Sequence, residues 1–143
     1  RVVTTLRLKD PDTQKFLKFC AVGFAGLFVD SALFNIFRLT IKNSKTASLI
    51  SGFIAMLTTF TLNNYWSFKN NKIEGNSKKI QGFIIYILSS YVPIIFRSQL
   101  IKFSISKFGD TFWVSNVSFF IGIVIGLIWN YLVYSKIIWK DKK

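Results

Sequence analysis

Histidine is absent from the 143 residues, and cysteine and methionine occur once each. Without histidine the chain lacks the commonest general base and the commonest metal ligand. A lone Cys20 excludes an internal disulfide framework and a multi-cysteine zinc site. Charge is scarce as well: 17% of residues are charged, against roughly a quarter in ordinary globular chains. The charges present are mostly basic, and the net charge is +13. Nucleic-acid binding would need those bases on one folded surface beside stacking aromatics. Here they fall in bunches between apolar runs, the pattern of membrane flanks, so no nucleic-acid partner is expected.

Half of the chain is apolar and 17% is aromatic. A helix needs about 20 mostly apolar residues to cross the hydrocarbon core. Four runs meet that length: 16–37, 46–68, 80–103 and 111–135. The first contains Lys18 and Asp30, the third contains Pro93 and Arg97, and the second and fourth carry no charge. A helix of a soluble bundle would show a polar stripe, which VSFFIGIVIGLI at 117–128 lacks. No small-residue cleavage site follows the first run, so it reads as a span and not as a leader. The expected fold is therefore all-α, a single transmembrane domain over 1–143 with four spans. The chain opens on Arg1 and not Met, and the expectation is that something precedes it.

Lysines and arginines set the expected orientation. Arg1, Arg7, Lys9, Lys15 and Lys18, the spacer residues Lys69, Lys72, Lys78 and Lys79, and the tail residues Lys136, Lys140, Lys142 and Lys143 share one side. Only Arg38, Lys42, Lys45, Lys102 and Lys107 fall on the other. Both termini and the spacer 69–79 are thus expected in the cytoplasm. Trp66 and Trp139 should sit at the inner interface and Trp113 at the outer one. Setting Asn64 on Asn130, an offset of 66, also aligns Tyr65 with Tyr131, Phe68 with Tyr134 and Phe53 with Phe119. Two parallel-repeat helical hairpins are expected from this.

Ionisable residues inside spans are costly and mark candidate sites. Asp30 lies about 21 Å along its span, and Arg97 about 25 Å along a span running the same way. Two readings stand: a packing ion pair, or Arg97 as an anion ligand with Asp30 holding it or competing for it. Pro93, one turn before Arg97, either loosens the helix beside a cavity or sits in a packed bundle. Asn63, Asn64 and Asn130 close the second and fourth spans, with Lys69 and Lys136 shortly beyond. Their amides suit either interhelical bonding or a phosphate or headgroup site. Gly23, Gly26, Gly52, Gly122 and Gly126 permit close helix packing. Asp10-Pro11-Asp12 reads as a solvated turn, and no catalytic constellation assembles. Neither a metal nor a cofactor is expected, nor an enzyme.

KFLKFCAVGFAGLFVDSALF at the first helix, NNYWSF closing the second and NYLVYSKIIW closing the fourth resemble the GtrA-like family of small membrane proteins, from about residue 15 to 139. The family opening Phe-x-x-Phe-x-x-x-Gly matches Phe16, Phe19 and Gly23. Leu132 and Tyr134 depart from the family's usual aromatic and Phe in the fourth helix. The resemblance implies translocation of a polyprenyl-phosphate-linked sugar across the cytoplasmic (inner) membrane for cell-envelope polysaccharide glycosylation. It implies as an alternative a membrane anchor or partner subunit of a polyprenyl-phosphate glycosyltransferase. The expected ligand set is Lys15, Lys18, Asp30, Asn63, Asn64, Lys69, Arg97, Asn130 and Lys136. Besides that lipid-linked sugar, membrane lipids and a glycosyltransferase are expected partners. Four helices make a thin wall around so bulky a lipid, so a homo-oligomer or a fused partner is expected too.

Overall fold

The computed structural model describes residues 9–141, so Arg1, Arg7, Lys142 and Lys143 of the charge count lie outside the described residues. All regular structure among those residues is helical. The chain runs α1 (Pro11–Ile41), α2 (Ser44–Leu62), α3 (Asn76–Phe108) and α4 (Phe112–Val133). A π-turn extends α2 over Asn63–Ser67, and a second extends α4 over Tyr134–Ile138. A short 3₁₀ turn, Lys69–Asn71, follows the first. Four helices are long and apolar enough to cross a membrane. The chain falls into two compact units that divide between Lys72 and Ile73. Each unit is a helical hairpin, α1 on α2 and α3 on α4.

Local chemistry sets the helix ends. Asp10 caps α1, its side chain accepting from Thr13 N at 3.3 Å, and Pro11 occupies the first turn where no N–H is needed. The Asp-Pro-Asp stretch is thus a helix start and not a free turn. Asn43 caps α2 by accepting from Thr46 N at 3.2 Å. Gly75 and Gly109 bracket α3 with φ near +87° and +86°, a region that side chains with a Cβ rarely adopt. Thr111 caps α4 through Val114 N at 3.3 Å.

Large apolar side chains point outward along every helix: Phe24 and Phe28 are each 77% exposed, and Leu88 and Phe120 are also largely exposed. A water-soluble fold would bury these, and a lipid-facing one has no reason to. The interiors are built from small groups instead. In the first hairpin Ala47, Ser51 and Ala55 form a buried line at four-residue spacing on α2, and the buried residues of α1 are Phe19, Val22 and Gly26. In the second, Ser118, Gly122 and Gly126 form the same line on α4, and the buried residues of α3 are Gly82, Tyr86 and Pro93.

Three of the five glycines expected to allow close packing do so. A Cβ at Gly26 would collide with Thr59 Cγ2, one at Gly122 with the stem of Arg97, and one at Gly126 would lie 3.0 Å from Pro93 Cβ. Gly23 and Gly52 face open space, because both point away from the hairpin's inner line. Gly26→Leu and Gly126→Leu should each lower stability by about 1–3 kcal/mol through overpacking. Thermal unfolding in detergent checks this, with Gly23→Leu and Gly52→Leu expected to leave the midpoint nearly unchanged.

Candidate functional site

Polar groups collect in each hairpin at two levels. In the first, the start of α1 and the π-turn after α2 lie together, since α1 packs on that turn. The backbone N–H of Phe68 donates to Asn63 O at 2.8 Å, the five-residue step that defines a π-turn. Within the turn Asn63 and Asn64 are each 1% exposed, and Ser67 is buried. Lys18 Nζ approaches the Trp66 ring, 6.0 Å from its centroid. Lys15 turns elsewhere, with Nζ 3.7 Å from Asp12 Oδ1 in a solvent-facing pair of little energetic weight. Lys69 is exposed on the 3₁₀ turn.

The side-chain oxygens of this turn are unusual. Asn63 Oδ1 and Ser67 Oγ are sealed from solvent and have no hydrogen-bond partner, and Asn130 Oδ1 in the second hairpin is in the same condition. Buried polar atoms normally find partners, so each such atom is a candidate binding group.

The second hairpin closes on rings. Tyr86 and Tyr134 stack with centroids 4.5 Å apart, and Trp139 meets both edge-on at 6.2 and 6.0 Å. Ser90 Oγ and the Tyr134 hydroxyl share a hydrogen bond, and Trp129 Nε1 donates to Ser89 O at 3.2 Å. Trp139 is 1% exposed. It is a core ring and not the interfacial ring expected of it, because the second π-turn rotates it inward. Trp66 and Trp113, at 45% and 74% exposure, remain outward. Lys136 is exposed on that turn.

The charges of the long helices stand farther along. Lys18 and Asp30 are separated by roughly 18 Å of α1. Asp30 is half-buried and accepts from Ser51 Oγ at 2.6 Å. Ser51 is fully buried, and its position on the small-residue line of α2 brings it against α1. Sequence reasoning missed this partner; the signal was the four-residue spacing of Ala47, Ser51 and Ala55. Arg97 is half-buried in α3, its stem on Gly122 and its guanidinium 4.7 Å from the Phe119 ring centroid. Among the described residues Arg97 makes no hydrogen bond and no ion pair. Pro93 is buried against Gly126, the packed alternative of the two expected for it.

Four lipid-length helices in two hairpins define a multi-pass integral membrane protein. The model of the family described as GtrA/DPMS, transmembrane domain, matches residues 18–139, and the chain belongs to that family. No curated protein matches it. Membership makes it a membrane protein related to lipid-linked sugar handling.

The Ser51–Asp30 contact carries a stability prediction. Ser51→Ala removes the donor and leaves a carboxylate oxygen unsatisfied within a span, costing about 1–3 kcal/mol. Ser48→Ala, at an exposed position one turn earlier, should cost almost nothing. Equal denaturation midpoints for the two variants would show that the bond contributes no stability.

Proposed function

We propose that the protein moves a polyprenyl-phosphate-linked monosaccharide across the cytoplasmic (inner) membrane, serving cell-envelope polysaccharide glycosylation. Family membership supports the substrate class. The observation that carries the reading is Arg97, a guanidinium within a lipid-spanning helix whose five N–H donors have no acceptor among the described residues. A cation–π contact stabilises the charge without using those donors. An arriving phosphate would meet a planar fork that matches its oxygens. At the other level of the first hairpin, Lys18, Asn63 and Asn64 offer a place where the headgroup is first met, with Lys69 drawing an anion toward it and Lys15 adding positive charge. In the second hairpin Lys136 and Asn130 are the candidate groups near that helix end, and Asp30, bonded to Ser51, is a polar group of the first hairpin's span. The chain supplies binding groups and no catalytic set.

The proposed arrangement is two parallel repeats with N and C termini and the 69–79 spacer in the cytoplasm. Along the helices several environments match at a spacing of 67, one more than the alignment of Asn64 with Asn130, while the π-turns recur at 71. At 67, Phe16 and Phe19 fall on Phe83 and Tyr86, each pair with centroids 6.5 Å apart. Gly26 and its neighbour Thr59 fall on Pro93 and its neighbour Gly126. Buried Ser51 falls on buried Ser118, Asp30 on Arg97 and Asn63 on Asn130. A homo-oligomer, or a fused or associated glycosyltransferase, completes the wall around the lipid.

The alternative is an anchor or partner subunit of a polyprenyl-phosphate glycosyltransferase with no transport of its own. The family description, which names a transmembrane domain, favours keeping it. It requires that co-purification with the transferase survive loss of both Asp30 and Arg97.

Protein in liposomes should accelerate exchange of a short-chain polyprenyl-phosphate sugar between leaflets, and equal rates with and without folded protein would refute transport. Arg97→Ala should keep near-normal yield and lose transport, while Arg97→Lys restores part of it. The opposite pattern is low yield for Arg97→Ala and for Asp30→Ala, rescued in the double variant. That would assign the two charges to packing, where breaking a well-buried pair costs about 3–5 kcal/mol. Cysteine-accessibility labelling at exposed Lys72→Cys and Lys107→Cys tests the orientation: only the first should react from the cytoplasmic face.

A further inference from the structure

The three unpartnered oxygens recur in a pattern. Asn63 opens the first π-turn, while Asn130 lies within α4, one turn before the second π-turn, and in each the amide oxygen is buried without a donor. In the first hairpin Ser67 Oγ, one turn beyond Asn63, is in the same state. Each asparagine lies one turn beyond a residue of closest helix contact, Thr59 or Gly126. Interhelical bonding, the bland role for such amides, would have given each oxygen a donor.

The chemistry of these atoms restricts what can reach them. An amide oxygen only accepts. A phosphate, whose oxygens also accept, is repelled by it. A metal cation is disfavoured by the surrounding charge: Lys18 stands over Trp66 of the same π-turn, and Lys69 follows directly. What remains is a neutral donor, and the hydroxyl is the group that suits a carbonyl oxygen and a serine oxygen one turn apart. Asn63 and Ser67 belong to a π-turn, a feature frequent at functional sites.

We propose that Asn63 Oδ1 and Ser67 Oγ accept hydroxyls of the ligand's sugar, and that Asn130 Oδ1 is the corresponding acceptor of the second hairpin. Phosphate binding is left to the cationic groups. This assignment rests on the lipid-linked sugar reading and divides its site by chemistry: acceptors for the sugar, donors for the phosphate. It removes Asn63 and Asn130 from the groups that touch phosphate through their oxygens.

The experiment compares neryl phosphate with neryl phosphate bearing glucose, galactose, mannose or N-acetylglucosamine, titrated into the full chain in nanodiscs and read by tryptophan fluorescence. The wild type should bind at least one glycosylated probe about tenfold more tightly than neryl phosphate. Asn63→Leu should erase that preference and leave neryl phosphate binding unchanged. Asn63→Asp, which keeps an acceptor in place, should retain most of the preference. Ser67→Ala and Asn130→Leu should each reduce it several-fold, and they carry the test should Asn63→Leu not fold. A preference that survives in Asn63→Leu, Ser67→Ala and Asn130→Leu overturns the proposal, as does a wild type with no preference for any of the four sugars. A raised melting temperature for Asn63→Leu with the preference intact would also overturn it, since it would assign the oxygen to a structural water. Failure of neryl phosphate itself to bind wild type would sink the lipid-phosphate reading, a separate outcome.

Discussion

Close approach of two backbones is the constraint on which each hairpin depends. Lipid tails are as apolar as leucine, so two helices gain little by hiding apolar side chains from them. Association must come from contact between surfaces that fit. The lines Ala47–Ser51–Ala55–Thr59 on α2 and Ser118–Gly122–Gly126 on α4 provide such surfaces. The outward leucines and phenylalanines contribute solubility in the bilayer and leave the pairing to these few small groups.

From that constraint follows the placement of the membrane charges. Ser51 belongs to the line of closest approach, so its hydroxyl is held against α1 at the level of Asp30, and the carboxylate is satisfied there. In the second hairpin Ser118 is buried on the small-residue line, and the charge is that of Arg97, whose stem lies on Gly122. A serine hydroxyl is a good donor to a carboxylate and a poor answer to five guanidinium donors. The same scaffold therefore satisfies its acid and leaves its base chemically open. Bulk is exchanged in a similar way: the notch at Gly26 is filled by Thr59, and the notch at Gly126 by Pro93. The notch is borne by α1 in one hairpin and by α4 in the other, and each is filled from the facing helix.

Dependence on such pairwise fit explains what was legible in the sequence. Spans were plain because length, hydropathy and flanking charge are additive along the chain and need no tertiary knowledge. The small-residue stretch Gly122-x-x-x-Gly126 was visible as a pattern, but Gly23 and Gly52 looked equally suitable. Only the direction each faces separates them, and no apolar stripe records that direction in a helix greasy on all sides. Asp30 and Arg97 announced themselves by charge. Ser51 did not, since serine is common in spans and its role appears only when the helix opposite is known. The asparagines were noticed by their repetition, and adjacent Asn63 and Asn64 offer two ways to match Asn130. Trp139 was misplaced for a related reason: its inward direction depends on the π-turn, which has no sequence signature of its own.

The π-turns connect these local details to the chemistry at the helix ends. Continuing the four-residue line of α2 from Thr59 reaches Asn63 and then Ser67, and an unbroken α-helix would turn the next residue away by about 100°. Instead Ser67 and Phe68 are both buried, as are Ile138 and Trp139 after the second turn. Two consecutive buried residues at a helix end are what one extra residue in the turn produces, since it carries a second side chain onto the inner face. The rings gained are large, a phenylalanine in one hairpin and a tryptophan in the other, and each is 1% exposed. Burial of a ring of that size is a substantial apolar gain, and it can offset the cost of keeping an oxygen without a donor at the same level. The unpaired oxygens of Asn63 and Ser67 thus share the first π-turn with the packed ring of Phe68, whose burial offsets the cost of leaving them dry.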